Sequence, residues 1–268
     1  MRPSPAPDSW RELHLSLGPN GVLPIDKPSG WTSFDVVAVA RRVIGAKRVG
    51  HGGTLDPLAT GLLPLLIGTA TKFADTLHTA PKVYAALVTF GHETTTDDRE
   101  GAPTRSADAP QLTIAAMDHA LSMFRGTIAQ VPPANAAETV DGRRAYARAR
   151  GGEIFTLAPR QVTIERLAIA SWEPPALRLL VVCSTGTYIR SLARDIGVAT
   201  GSAAHLGGLR RLAVGGLTVD DAITVEALRG TPPATLGLRD PDDRILALAD
   251  RFRSEPAEAI LSTWGRPE

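Results

Sequence analysis

The sequence predicts a mixed α/β fold, and three observations carry that expectation. The run from Leu177 to Cys183 is nearly all apolar, as a strand buried on both faces requires. Val36, Val39, Ala40 and Val43 recur at the spacing of one helix face, and Ile189, Leu192, Ala193 and Ile196 repeat it further on. A second apolar, β-favouring stretch, Val83 to Phe90, lies between these helical segments, so strands and helices interleave.

Taken in order, residues 1–20 contain Pro3, Pro5, Pro7 and Gly18 without either periodicity and read as a tail. Order is expected to begin at Gly21-Val22-Leu23-Pro24-Ile25. Thr32 followed by Asp35 forms a capping-box pattern at the start of the first helix, and Gly45 supplies its stop. A glycine-dense loop, Gly50 to Pro57, then leads into the apolar segment Leu62 to Ile67. The strand ending at Cys183 runs through Ser184-Thr185-Gly186-Thr187 into the second helix. Residues 230–243 read as a linker, and 244–261 as one amphipathic helix ending the chain. No internal repeat is visible.

At 268 residues, 43% hydrophobic and 21% charged, the chain can bury one large core, or a main domain with a small appendage. No run approaches the roughly 18 to 20 apolar residues of a membrane span, and the N-terminus lacks a signal-peptide layout, so the cytoplasm is the expected location. Cys183 is the sole cysteine, which rules out an internal disulfide; its apolar flanks predict a buried thiol. The net charge of +1 is unevenly spread. Residues 220–268 carry ten acidic and six basic side chains, leaving 23 basic against 18 acidic upstream. Arg41, Arg42, Lys47 and Arg48 form one basic cluster, and Arg143, Arg144, Arg148 and Arg150 another. Each can track a phosphate backbone or simply be a solvated face.

The loop Gly50-His51-Gly52-Gly53-Thr54-Leu55-Asp56-Pro57 concentrates unusual features. Pro57 biases Asp56 away from helical geometry, so a carboxylate is presented at a rigid bend. The loop alone leaves open whether that carboxylate reacts or caps a neighbouring amide. His51 is likewise open between proton transfer, stacking on a base and a turn hydrogen bond. Tyr84 shares a strand face with Ala86, Val88 and Phe90, where an ordinary tyrosine packs. Arg190 falls in a first helical turn, where it suits either an anion or a structural ion pair. The six histidines are scattered with no zinc-ligand spacing, so no metal site is expected. Nucleotide-binding glycine motifs and a serine-hydrolase elbow are also missing.

In combination these segments resemble the TruB family of pseudouridine synthases. Ile25-Asp26-Lys27-Pro28-Ser29-Gly30 is similar to the family's opening segment, and Gly50 through Gly61 matches its signature loop almost residue for residue. Lys82-Val83-Tyr84 with Gly91, then Thr94-Thr95-Thr96-Asp97-Asp98 with Gly101, follow in the family's order. Cys183 through Arg190 and Leu209-Arg210-Arg211-Leu212 complete the series, so the resemblance covers about residues 21 to 219.

The resemblance implies a pseudouridine synthase fold, with a mixed, mainly antiparallel central sheet flanked by helices and loops. It implies a catalytic domain over 21–219, an RNA-binding insertion at about 125–160, and a short acidic extension over 220–268. The implied reaction converts uridine to pseudouridine at position 55 in the T-loop of tRNA, by base flipping, without a cofactor. Asp56 matches the catalytic aspartate, Arg190 the arginine that pairs with it, and Tyr84 the tyrosine that stacks on the base. His51, Tyr188, Leu209, Asp98 and Lys27 match substrate-binding positions. Arg143, Arg144, Arg148 and Arg150 lie where the family has a mobile element that closes on RNA. The expected partner is the tRNA T-arm, with no membrane or protein partner, and the expected state is a monomer.

The chain departs from the family pattern at three places. Ala136, Ala137, Glu138 and Thr139 stand where relatives carry Ser-Ala-x-Lys, and Thr95 stands where an aspartate is common. Residues 220–268 show no strand series for the small RNA-binding PUA module, so that module is expected to be absent or degenerate. Two other classes compete: a tRNA-folding chaperone, which needs the basic surface but not Asp56, and an aspartate-nucleophile hydrolase, which wants a second nearby carboxylate. A guide-RNA-directed pseudouridylase would be expected to show a PUA module.

Overall fold

The computed structural model describes residues 19–134, 139–140, 143–144, 157–241 and 245–263. The strands in chain order begin with β1 (Gly21–Lys27), β2 (Val49–His51), β3 (Thr60–Ile67), β4 (Lys82–Phe90), β5 (His92–Thr94), β6 (Pro103–Ser106) and β7 (Gly126–Gln130). They continue with β8 (Thr139–Val140), β9 (Arg143–Arg144), β10 (Arg160–Glu173), β11 (Ala176–Cys183), β12 (Ala204–Val214), β13 (Leu217–Thr218) and β14 (Ile223–Thr224). The α-helices are α1 (Ser33–Ile44), α2 (Ala74–Thr79), α3 (Ile114–Leu121), α4 (Ile189–Ala199), α5 (Val225–Gly230), α6 (Arg251–Ser254) and α7 (Ala257–Thr263). The expected mixed α/β class holds, and the strand pairing is mostly antiparallel.

The chain divides into two compact units, Met1–Ala80 with Ala213–Leu248, and Pro81–Leu212 with Ala249–Glu268. In the first unit β1 lies between β3, antiparallel, and β14, parallel. Leu23 pairs with Leu65 and Ile25 with Leu63, so alternate apolar residues of both strands share a face. That face packs with Val36, Val37, Ala40 and Ile44 of α1 and with Val225 and Leu228 of α5. Helix α1 forms where the sequence places it: Thr32 accepts from the Asp35 amide, Asp35 answers the Thr32 backbone, and Gly45 closes the helix at φ 68°. Each fully buried aliphatic side chain here contributes about 1.5–3 kcal/mol.

Two stretches of this unit differ from expectation. Asn20, placed in the tail by sequence, is buried, and its side-chain oxygen accepts from the Thr69 amide at 2.6 Å. Arg239, inside the expected linker, exchanges two backbone hydrogen bonds with Val22 of β1, at 2.8 and 2.9 Å. An exposed strand edge is thereby paired.

In the second unit the strand order is β12-β4-β11-β10-β7. The central pair runs in register from Lys82 against Cys183 to Thr89 against Ala176. Helix α4 turns Ile189, Leu192, Ala193 and Ile196 inward, the face read from the sequence. The expected single C-terminal helix is instead two, α6 and α7, because Pro256 holds Glu255 extended (ψ 151°) between them. Both sit against β10, where Arg166 donates to the Phe252 and Glu255 carbonyls at 2.7 and 2.5 Å.

Candidate active site

The sequence-selected residues fall in both units. In the first, hydrogen bonds to its backbone hold the loop after β2. Gly52 donates to the Pro64 carbonyl at 2.8 Å, and a Cβ at Gly52 would come within 2.9 Å of Leu77 Cδ1, so a side chain there would have to displace Leu77. The buried Ser33 hydroxyl, at the start of α1, accepts from the Leu55 amide at 2.9 Å. On the other side of Asp56, the Pro57 carbonyl accepts from the Gly30 amide at 2.8 Å and from Lys27 Nζ at 3.3 Å. Leu55, Leu58 and Ala59 are buried, and the Ala59 amide closes a turn onto the Asp56 carbonyl at 3.1 Å. Asp56 itself is half-buried.

Lys27 is fully buried. Its ammonium also donates to the carbonyls of Trp31 (2.6 Å) and Pro28 (3.0 Å), so it braces the Asp26-Lys27-Pro28 segment against the Asp56 loop. His51 is half-buried and its Nδ1 accepts from the Gly53 amide at 3.4 Å, the turn role left open by the sequence.

The second unit supplies the other candidates. Asp98 is buried; its Oδ1 accepts from Thr96 Oγ1 at 2.5 Å and the Glu100 amide at 3.0 Å, and its Oδ2 lies 3.7 Å from Arg190 Nη1. Arg190, equally buried, also donates to the Thr96 carbonyl at 3.2 Å. Asp97 turns the chain at φ 59° and pairs with Arg194 at 2.7 Å. Burial raises the Asp97 carboxyl above its ordinary pKa, against the opposing pull of Arg194 and Arg190.

Tyr84 is half-buried on β4. Its hydroxyl takes a hydrogen bond from Arg211, a guanidinium only 1% exposed on β12. Burial lowers the Arg211 pKa, and Tyr84 partly offsets that. Leu209, two residues earlier, is buried on the same strand face. Lys82, two residues before Tyr84, has its pKa lowered to about 8 by burial and then by the Arg211 charge. Burial pushes the Cys183 thiol up to about 12, an inert group as its apolar flanks predict. Tyr188 is fixed at both backbone polar atoms by the buried Gln130 side chain, at 2.8 and 3.1 Å, and Arg160 lies 5.3 Å from its ring centroid.

Arg211, Gln130 and Arg160 were not singled out by the sequence. Alternation along Leu209-Arg210-Arg211-Leu212 was the available signal for Arg211, since it puts one arginine beside Leu209 on the inward face. Of the second basic cluster, Arg143 and Arg144 form the two-residue strand β9, while Arg148 and Arg150 lie outside the described residues, as do Ala136, Ala137 and Glu138. Thr95 accepts from the Ala102 amide at 3.2 Å, a turn contact. Among the described residues no cluster of His, Cys, Asp or Glu is arranged to hold a metal ion, and no helix is long and apolar enough to cross a membrane.

Residues 41–189 match the model of the TruB family pseudouridylate synthase, N-terminal domain. Among curated proteins, the tRNA pseudouridine synthase B of Solibacter usitatus is 47% identical over 78% of this chain and 71% of its own length. That of Azoarcus is 43% identical over 92% of this chain and 82% of its own. Among solved structures, a Cbf5-Nop10-Gar1 complex aligns with a TM-score of 0.61 and 29% identity, covering 80% of this chain and 54% of that one. The archaeal box H/ACA sRNP Nop10-Cbf5 complex aligns at 0.60 and 28%, covering 83% and 56%. The chain thus spans about half the length of the solved chains it matches. It belongs to the TruB family of pseudouridylate synthases.

Proposed function

We propose that this protein isomerises uridine to pseudouridine in tRNA, acting at the T-loop position 55 with Asp56 as the reacting carboxylate. The observation that carries the reading is the Asp56 loop, a family signature whose backbone is pinned on both sides of the aspartate. The reaction breaks the N1–C1′ bond, turns the uracil, joins C5 to C1′, and removes the C5 proton while the freed N1 takes one up. Nothing is oxidised or reduced overall, so no cofactor is called for. The target base must leave its stack to expose C1′. Asp56 then serves as nucleophile or deprotonates the sugar.

Tyr84 stacks on the flipped base and helps remove the C5 proton, with Arg211 orienting its hydroxyl. Arg190 supplies the cation that favours an ionised carboxylate, an assignment that rests on the family resemblance. Tyr188 and Leu209 line the base pocket, and His51 contacts RNA. Lys27 and Asp98, both buried in hydrogen bonds, hold the architecture rather than touch substrate. The protein works alone, as a monomer, in the cytoplasm.

The test is tritium release from a tRNA transcript carrying [5-³H]uridine, by the wild type and by Asp56→Asn. Wild type should release tritium and the variant should not; equal release ends the assignment of Asp56. A transcript whose T-loop uridine is replaced should not react. Tight tRNA binding without release by the wild type would favour a folding chaperone.

A further inference from the structure

The first basic cluster, which the reaction does not use, borders a groove of about 670 Å³ in the first unit. One wall is the flank of α1, where Arg42 is exposed and Val39 and Val43 are half-buried against the core; the other is the end of α5 and the turn after it, with Arg229, Pro232 and Pro233. Arg42 and Arg229 are both exposed, and Arg41, Lys47 and Arg48 add three further exposed cations beside Arg42 in the chain. The Arg229 guanidinium lies over the Trp31 ring, 5.4 Å from its centroid, which limits its rotamers before any ligand arrives.

Helix dipoles explain part of this pattern, because Arg41 and Arg42 end α1 and Arg229 ends α5. They do not explain two arginines facing one groove, or Lys47 and Arg48 beyond the helix. Apolar side chains beside two guanidiniums suit a chain of sugars and phosphates, where the sugar faces pack and the phosphates take the charge. Ser33, at the start of α1, touches Leu55 beside Asp56, while Arg42 lies nine residues on, about 14 Å along the helix axis. That separation puts the Arg42 end of the groove away from Asp56, while Arg229, over the Trp31 ring, stands on the side nearer the Asp56 loop.

We infer that the groove between α1 and α5 is a backbone-binding subsite for the tRNA, in which Arg42 and Arg229 neutralise phosphates outside the nucleotide that reacts. The inference rests on the tRNA reading above and adds a second, non-catalytic contact to it. Such a contact supplies affinity without discriminating ground state from transition state, so it belongs in KM.

The experiment compares wild type with Arg42→Ala/Arg229→Ala in tritium release from a full-length tRNA transcript, together with tRNA binding over a range of salt concentrations. The paired variant should raise KM and Kd about tenfold, leave kcat within about twofold, and flatten the log Kd against log salt slope by about 1.5 to 2, as two lost phosphate contacts require. Arg42→Lys/Arg229→Lys should recover most of the loss. Lys72→Glu changes net charge by the same two units on another exposed helix position, and it should have little effect. Unchanged KM and salt slope in the alanine pair overturn the inference, and that is the outcome expected of a groove serving a protein partner or a second copy. An equal loss in Lys72→Glu overturns it too, as bulk charge. A wild type that binds tRNA but releases no tritium leaves the groove testable by binding alone and rejects only the catalytic reading.

Discussion

Asp56 and Asp98 are both acids on turns; the main chain on either side of Asp56 is pinned by neighbouring groups, whereas the hydrogen bonds that close the Asp98 turn go to its carboxylate. Around Asp56 the fixing groups are Ser33, Gly30 and Lys27, and they grip the main chain of Leu55 and Pro57. Around Asp98 they are Thr96, the Glu100 amide and Arg190, and they grip the carboxylate. The contrast separates two jobs. A loop pinned at its main chain keeps those hydrogen bonds when the carboxylate becomes an amide of the same shape, whereas a turn closed on its carboxylate loses them when that group is removed. Chemistry should therefore be lost without stability at the first position, and stability lost at the second.

The largest effect is expected from Asp56→Asn, which should cut turnover by at least about a thousandfold while moving the thermal midpoint by no more than about 2 °C. Tritium release and a melt of the same preparation check both halves. A variant that melts much earlier would break the comparison, since Asp56 would then be structural.

Asp98→Ala is the converse. It leaves Arg190 buried without this counter-charge, and the Thr96 hydroxyl and the Glu100 amide without this acceptor, and should cost about 3–5 kcal/mol, as removing one partner of a buried pair does. Urea unfolding measures it. The exposed Arg253–Glu165 pair, 2.5 Å apart but open to solvent, is the control and should be worth about 0–1 kcal/mol. If the two pairs prove equal, the Asp98 carboxylate is not what holds its turn.

Which of these features the sequence announced follows a physical line. Helix α1 was legible at both ends, because its capping box and its closing glycine act within a few residues. The strands β4 and β11 and the inward face of α4 were legible from periodicity alone. The Pro256 break was equally local and available, and a helical period drawn across it misplaced the boundary. Alternation beside Leu209 could place Arg211 on an inward face, but that Tyr84 is its partner was not legible, because the pairing of β12 with β4 is nonlocal. Lys27 was misleading for another reason: lysines are almost never fully buried, and only the fold brings three carbonyls to one ammonium.

Lys27 sharpens the comparison from the Asp56 side, since its ammonium helps fix that main chain. Lys27→Met removes donors from three carbonyls and should destabilise the protein by about 2–3 kcal/mol. Turnover should fall about tenfold with Asp56 unchanged, as expected when a reacting group is displaced slightly. Thermal melts and kcat on the same variant test this. A stable Lys27→Met enzyme that loses only tRNA affinity would return Lys27 to the substrate-binding residues.

The smallest effect concerns the other buried lysine. Lys27 meets carbonyl oxygens, but Lys82 lies beside Arg211, and burial followed by that charge brings its pKa from an ordinary 10.5 to about 8. Protonated Lys82 is thus disfavoured in the folded chain. Between about pH 8 and 10.5 the unfolded chain keeps a proton that the folded chain has released, so this residue makes stability rise with pH across that window. Below pH 8 both states are protonated and its unfavourable contribution is fully present. Lys82→Met should stabilise the protein at pH 7 and flatten the rise in urea midpoint between pH 8 and 10, while the same measurement on Lys27→Met should keep that rise. If Lys82→Met is destabilising at pH 7 and the rise persists, the ammonium is satisfied in place, and the two buried lysines do the same work.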